Sequence, residues 1–386
     1  MAAHPEAELR LLMAAVRALG HLRDPQAVPL LAQMIEENAR ANPGRPPHLH
    51  ELGWLQQPVY RAATAAEALG WIATPEAQKA ILAALPKLLD FWKYTFWVGD
   101  HSWLMGCHSS PIHYRMIEAL DAMGATDVRA IVPHILRSVP LDTDRGLLLD
   151  CDGYETLVAR VVQRAGLAAD VLETCLAVLG DPAAKPVESL KAAVTASPPA
   201  SSCRPLCPEA RAAQIASVVC LDGRHGARLR AAFDRYRPTP QSRKRSWTCF
   251  FLARAIGRTA DRALAPSLRA ALTDDATETS LGLEDPPNVF IYKGMTPFYR
   301  AAAAYALGRL ADRASAPVLL DAVANLDNAL DVRHAAAQAL ALLADPATLP
   351  RLRKLADDYP EVATRRWLLT AVKATESART ATALRR

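Results

Sequence analysis

The sequence predicts an all-α fold, a solenoid of antiparallel helical hairpins. Three observations carry that expectation: a motif that recurs along the chain, apolar residues at helical spacing inside each copy, and a hydrophobic content made largely of Ala and Leu. Near the C-terminus the motif runs from Arg300 through Ala306-Leu307-Gly308 to Asp312, then Ala316-Pro317-Val318-Leu319-Leu320. Near the N-terminus it reads Ala18-Leu19-Gly20-His21-Leu22-Arg23-Asp24-Pro25, then Val28-Pro29-Leu30-Leu31. Further copies run from Arg61 to Gly70, from Arg254 to Pro266 and from Arg333 to Pro350. A supersecondary unit that cannot bury its apolar face alone stacks on copies of itself.

Each hairpin follows from its own residues. Ala303, Leu307 and Leu310 share one face of a first helix, and Ala316, Leu319, Leu320 and Val323 keep the i, i+3, i+4, i+7 rule in a second. Asp-Pro steps at Asp24-Pro25, Asp181-Pro182 and Asp345-Pro346 suit the turn between the two helices. The Asp can cap free backbone N–H groups, and Pro is tolerated in a first helical turn.

Spacing sets the organisation. Arg300 to Arg333 is 33 residues and Arg333 to Arg365 is 32, close to a minimal two-helix unit. Gly20 to Gly70 is 50 and Gly257 to Gly308 is 51, so those units carry inserts of roughly 15 to 20 residues. The inserts fall between the second helix of one unit and the first helix of the next, near 38–59, 90–113, 140–153, 197–209 and 273–298. Loops at one register of a stack emerge on one edge. Three inserts end alike, in Pro58-Val59-Tyr60-Arg61, Pro111-Ile112-His113-Tyr114-Arg115 and Pro297-Phe298-Tyr299-Arg300. The clearest repeats are 9–31, 61–85, 254–272, 300–323 and 333–355. The whole, 1–386, reads as a single array of roughly eight units, weakest between 150 and 245, with a possible break near 197–209.

Composition bounds the function. The hydrophobic fraction of 51% is ample for a core, while aromatics at 6% leave Ala and Leu to fill it. The net charge of +5 is mild for 386 residues, but Arg204 to Arg262 holds 13 Lys/Arg against 4 Asp/Glu. No run of about 18 apolar residues predicts a membrane span, and the N-terminus lacks the basic and apolar regions of a secretory leader. Seven scattered cysteines in a chain of this size predict reduced thiols and a cytoplasmic protein.

The Arg-Ala-Ala…Ala-Leu-Gly…Asp…Ala-Pro-x-Leu pattern resembles the HEAT family in the short bacterial form related to phycobilisome-lyase repeats. The resemblance covers about half of the chain and implies a right-handed α-α superhelix that binds partners on its inner face or edge. Some relatives of that family are enzymes. Deoxyhypusine hydroxylase is similar in fold and binds iron through several His-Glu steps, but here only His50-Glu51 makes one. HEAT-like alkylpurine DNA glycosylases set Trp and acidic residues over a basic face, and Trp247 beside Arg243-Lys244-Arg245 is a partial echo. Bilin lyases share the repeat.

Candidate site residues concentrate on the inserts. The 90–113 insert holds three of the seven tryptophans and three of the ten histidines. It reads as an aromatic recognition surface, as a metal site of His101, Cys107, His108 and His113, or as aromatics packed on the stack. Adjacent Cys107 and His108 are awkward to aim at one tetrahedral ion. Cys203, Cys207, Cys220 and His225 make a second, looser candidate. The 204–262 stretch suits an anionic partner, nucleic acid or an acidic protein face, or is a solvated surface. The repeated Arg61, Arg115, Arg300, Arg333 and Arg365 are expected to pair with turn carboxylates.

The reading that unites these is a non-enzymatic protein-interaction scaffold or adaptor. Its contact surface is expected to use Trp54, Tyr60, Trp92, Trp97, His101, Trp103, His108, His113, Tyr292 and Tyr299, since aromatics dominate interface energetics. No cofactor, committed metal or membrane is expected. The partner is another protein, nucleic acid is less favoured, and exposed terminal helices allow self-association. The alternatives are an accessory domain of a larger enzyme, a metal-dependent enzyme using 90–113, and a nucleic-acid binder using 204–262.

Overall fold

A computed structural model describes residues 5–40, 58–87, 111–137, 139, 152–196, 207–220, 222–237, 246–274 and 299–383. Among them every regular element is helical, as the sequence predicts. The chain divides into two compact units. The first comprises Met1–Arg145, Asp150–Val171 and Val187–Pro205, and the second Gly146–Leu149, Leu172–Pro186 and Leu206–Arg386.

The first unit holds α1 (Pro5–Leu22), α2 (Val28–Arg40), α3 (Pro58–Ile72), α4 (Pro75–Ala84), α5 (Pro111–Ala122), α6 (Val132–Arg137) and α7 (Asp152–Arg164). Next comes α8 (Ala168–Val178), which spans the boundary at Val171, and α9 (Glu188–Thr195) returns to the first unit. The first helices stack in order, α1 on α3, α3 on α5 and α5 on α7, while α9 packs on α6. Sequence reasoning found little in the 150–245 region, and the placement of α9 on α6 is a tertiary choice.

The second unit is more regular. It contains α10 (Pro208–Val219), α11 (Gly226–Tyr236), α12 (Ser246–Arg258), α13 (Ala265–Leu272), α14 (Tyr299–Arg309), α15 (Ala316–Ala324), α16 (Leu330–Leu343), α17 (Leu349–Asp358) and α18 (Val362–Ala383). Helices α10, α12, α14, α16 and α18 lie flank to flank in that order, and α11, α13, α15 and α17 pack on α12, α14, α16 and α18 respectively. The core runs along this seam: Leu252, Ile256, Leu268, Leu307, Leu319, Leu340 and Leu352 are all buried.

The recurring Ala-Leu-Gly now has a physical reading. A methyl group added at Gly20 would stand 2.7 Å from Ala68 Cα, at Gly70 2.7 Å from Ala119 Cβ, at Gly257 2.9 Å from Ala306 Cα, and at Gly308 2.7 Å from Ala339 Cα. The glycine of each such helix therefore rests on the alanine two residues before the equivalent position of the next. Small residues on both sides let the backbones touch, and the intervening Leu turns into the hairpin core.

The turns are equally uniform. Arg23, Ala73, Ala260, Ala311 and Ala344 all adopt positive φ, as do Gly124, Gly166 and Gly180. Each follows a helix and closes its last turn in the left-handed conformation. The next element is then capped: Asp24, Asp181, Asp222, Asp261 and Asp345 accept from the backbone N–H two residues on, at 2.9–3.2 Å. The capping role expected of the three Asp-Pro steps is observed in all three. Thr74 plays the same part for α4, accepting from Ala77 N at 3.2 Å.

Two substitutions test this construction by urea denaturation of the full chain. Gly308→Val places branched carbon against the Ala339 backbone and is expected to destabilise by about 1–3 kcal/mol, the cost of overpacking. Ala260→Gly removes the steric penalty of a left-handed Ala and is expected to stabilise by about 1 kcal/mol. A neutral Gly308→Val would show that the helices are not in backbone contact.

Candidate functional site: the insert-bearing edge

Within each unit, inserts separate a second helix from the first helix that follows. The flanking helices end and begin at Arg40 and Pro58, Ala84 and Pro111, Arg137 and Asp152, Thr195 and Pro208, and Leu272 and Tyr299, with α4 ending six residues before the insert start expected at 90. Pro58 and Pro111 open α3 and α5, positions where a missing N–H costs nothing.

In the second unit this edge is held by a chain of polar contacts. Arg237 Nε donates to Asp274 Oδ2 at 2.6 Å, and the Tyr299 hydroxyl donates to the same oxygen at 3.1 Å. Arg300 donates to the Leu272 carbonyl at 3.0 and 3.1 Å and to Asn328 Oδ1 at 2.8 Å. Asn328 Nδ2 donates to the Ala322 carbonyl at 2.9 Å. Arg333 Nε donates to the Asn328 carbonyl at 3.0 Å, and its Nη1 lies 2.5 Å from Glu361 Oε1. Tyr359 donates to the Val323 carbonyl at 2.7 Å, and Arg365 Nε to the Ala356 carbonyl at 2.9 Å.

These contacts revise the expectation for the repeated arginines. Arg300 and Arg365 bond carbonyls at the C-terminal ends of α13 and α17, where helix geometry leaves acceptors free and the dipole favours a cation. Among the described residues, Arg115 and Arg333 are the ones of this set that pair with carboxylates, Arg115 with Glu118 at 2.7 Å and Glu67 at 3.6 Å. Arg61 is exposed. Burial opposes the Arg333 charge, but Tyr359 and Glu361 outweigh it and raise its pKa. Burial raises the Tyr359 phenol.

Of the residues expected to form the contact surface, Tyr299 is placed otherwise. It is buried, with its hydroxyl on Asp274, so it anchors the edge from beneath. Trp54, Trp92, Trp97, His101, Trp103, His108 and Tyr292 lie outside the described residues, as do the interiors of the inserts. Tyr60 and His113 fall in the first turns of α3 and α5, and their side chains are likewise outside the description.

The described part of the edge displays apolar residues that the sequence reading missed. Leu326 and Leu330, in the connection from α15 to α16, are 54% and 45% exposed, and Val362, which opens α18, is 84% exposed. Their apolar type alone could not distinguish them from core residues. On α16, Asp331, His334 and Gln338 share one helix face at i, i+3 and i+7. His334 Nε2 and Gln338 Oε1 are buried atoms without a hydrogen-bond partner. Burial lowers the His334 pKa and raises that of Asp331, so both lean toward neutrality.

The basic 204–262 stretch is largely engaged. Arg228 bridges Glu173 and Asp181, its Nε lying 2.5 Å from Asp181 Oδ2. Arg224 pairs with Asp222 at 2.6 Å. Arg235 donates to the Leu179 and Gly180 carbonyls at 2.9 and 2.6 Å. Arg258 and Arg262 donate to the Ser217 and Leu310 carbonyls at 2.7 and 3.2 Å. Arg211 is buried, and Arg204 and Arg243 to Arg245 lie outside the described residues. Trp247 stacks on Phe251 at 5.8 Å and meets Phe250 edge-on at 5.8 Å, an aromatic cluster at the start of α12.

The looser Cys/His candidate is dispersed. Cys207 caps α10, its Sγ accepting from Ala210 N at 3.4 Å. Cys220 is buried, which pushes its thiol up to about 11, and His225 Nε2 lies 3.3 Å from Glu173 Oε1. Cys203 is outside the description. Among the described residues no group of three or more His, Cys, Asp or Glu is arranged to hold a metal ion, and no helix is long and apolar enough to cross a membrane.

Residues 293–373 match the family model described as HEAT repeats. The hairpins of that segment are HEAT repeats. Residues 11–37 match the PBS lyase HEAT-like repeat, so the HEAT signature appears near both ends of the chain. A solved structure of human deoxyhypusine hydroxylase in complex with glycerol is similar at 20% identity and a TM-score of 0.28, covering 95% of this chain and 98% of that one. No curated protein sequence matches.

Two measurements follow from these contacts. Arg333→Met strips donors from the Asn328 carbonyl and Glu361 and is expected to lower stability by about 1.5–3 kcal/mol, as for hydrogen bonds to charged groups. Unchanged urea unfolding would show that the contacts do not tie adjacent HEAT units. The second concerns pH. The Arg228 guanidinium, with help from Lys185 N–H and despite burial, holds Glu173 down to about 2. An unfolded Glu titrates at about 4.3, so the pair's stabilisation is complete above that pH and is lost as pH falls through about 2. Glu173→Gln is expected to flatten the acid limb of a stability–pH curve, and an unchanged limb would contradict the assignment.

Proposed function

We propose that this protein is a protein-interaction scaffold that binds its partner along the insert-bearing edge. The observation that carries the reading is the exposure of Leu326, Leu330 and Val362 on the very edge from which the inserts leave. The polar chain from Arg237 to Glu361 gives these side chains a rigid base, and rigid presentation lowers the entropic cost of association. Large apolar groups held in this way favour contact with another protein over a solvated surface. In the second unit the insert that carries Tyr292 joins Leu272 to Tyr299 on this edge. The engagement of so many arginines within 204–262 leaves less free positive charge for a nucleic-acid backbone.

The reading is tested with a photo-crosslinking amino acid placed at Leu326, Leu330 or Val362, and at Arg313 or Ala347 on the opposite, turn-bearing edge. In lysate of the native organism, a discrete adduct is expected from the first set and not from the second. It is expected to disappear in a Leu326→Asp/Leu330→Asp/Val362→Asp background whose helicity is unchanged. Equal adducts from both edges, or none, would contradict the proposal.

A further inference from the structure

We propose that the solvent-facing strip of α16 is a binding site for an organic cation, the guanidinium of an arginine side chain on the protein partner. Between Val332 and Leu343 this helix is buried except at His334, Ala341 and Leu342. Those positions share one face with Asp331 and with Gln338, which is sunk into the strip at 7% exposed. Two atoms of the strip are buried without a hydrogen-bond partner, His334 Nε2 and Gln338 Oε1. A buried polar atom left unpaired destabilises a fold, and native structures keep few of them. Two such atoms, four residues apart on one helix face, mark a place whose hydrogen bonds come from outside the chain.

The chemistry of the strip selects the ligand. Gln338 Oε1 is an acceptor. Burial lowers the His334 pKa and favours the neutral imidazole, whose Nε2 accepts in the Nδ1–H tautomer. The charged groups acting on His334 are Asp331, Glu361 and Arg333. Two carboxylates against one guanidinium leave net negative charge beside the acceptors. A ligand that donates hydrogen bonds and carries positive charge meets both conditions, and an anion meets neither. One metal ion does not span the set, because seven residues of helix separate Asp331 from Gln338 by about 10 Å along the axis. A guanidinium suits the strip better than an ammonium. Its planar fork offers N–H groups to two acceptors at once, and residues four apart on a helix have Cβ atoms about 5–6 Å apart. Leu342, four residues beyond Gln338 and 50% exposed, gives apolar surface to the methylene stem. The source of the arginine rests on the interaction reading above, since α16 begins at Leu330 on the proposed contact edge.

A binding group left unpaired in the free protein is held at the expense of stability. Gln338→Leu replaces the unpaired acceptor with apolar surface of similar size. Its urea midpoint is therefore expected to equal or exceed that of the wild type. A glutamine with a purely structural role, bonded through water, would lower the midpoint when replaced.

The ligand class is read by NMR on the full chain labelled with carbon-13 at histidine Cε1, the His334 resonance being assigned by its loss in His334→Gln. N-acetyl-argininamide is titrated at low ionic strength, with N-acetyl-lysinamide, the neutral isostere N-acetyl-citrullinamide and free L-arginine in parallel. The blocked arginine is expected to shift the His334 resonance saturably, with a dissociation constant on the order of 1–10 mM for so small a ligand. Binding is expected to weaken by about tenfold or more in Gln338→Leu and in Asp331→Asn, as when a charge-assisted hydrogen bond is lost. Five results would each overturn the proposal: no saturable shift, an equal response to the citrulline derivative, a preference for the lysine derivative or for free L-arginine, binding undiminished in Gln338→Leu, or a lowered urea midpoint in that variant. No partner is present in the titration, so its failure is distinct from a failure of crosslinking at Leu326, Leu330 and Val362.

Discussion

The contact of a glycine on one first helix with an alanine on the next is the constraint from which the repeat architecture follows. It brings backbones together at Gly20 on Ala68, Gly70 on Ala119, Gly257 on Ala306 and Gly308 on Ala339. No larger pair would fit at that separation, which is why Ala dominates the composition of these helices and aromatics are scarce. Once the first helices are this close, Leu is directed into each hairpin, where the second helix completes its burial. Dispersion and apolar burial then accumulate along the stack, one unit at a time.

Close backbone packing along one row leaves the edges to polar groups. On the turn edge, a left-handed residue closes α1, α3, α5, α7, α12, α14 and α16, and Asp24, Asp222, Asp261 and Asp345 cap elements that follow. On the other edge, arginines reach from the start of a first helix to carbonyls at the end of the preceding second helix. The two devices differ because the connections differ: the turns are short and can be closed by local bonds, whereas the other edge must tolerate inserts of variable length. Arg300 bonding Leu272 holds the ends of α13 and α14 together however long the segment between them is. That independence lets the edge carry inserts of different length without loosening the stack.

Much of this was legible in the residues. The hairpins, their approximate register, the Asp caps and the positions of the inserts all follow from 3.6-residue periodicity and turn chemistry, which are local. The arginine ladder was visible as a repeat, but its partners were not, because a carbonyl at the end of a helix leaves no trace in the sequence that distinguishes it from any other. Tyr299 was taken for a surface aromatic because it follows an insert, and an insert boundary carries no information about depth. Leu326, Leu330 and Val362 were overlooked for the opposite reason, since an exposed Leu and a buried Leu are the same letter.

What the sequence by itself determined is the repeat unit: an Ala-rich first helix, a tight capped turn, and an amphipathic second helix, each encoded within about a dozen residues of itself. What only the tertiary structure decided is which surfaces remain after stacking. Arg228 on Glu173 and Asp181, Arg300 on Asn328 and Tyr359 on Val323 are relations between segments tens of residues apart. A stripe of Leu and Ala reads alike whether it is covered or bare, and coverage is settled by what the rest of the chain places beside it.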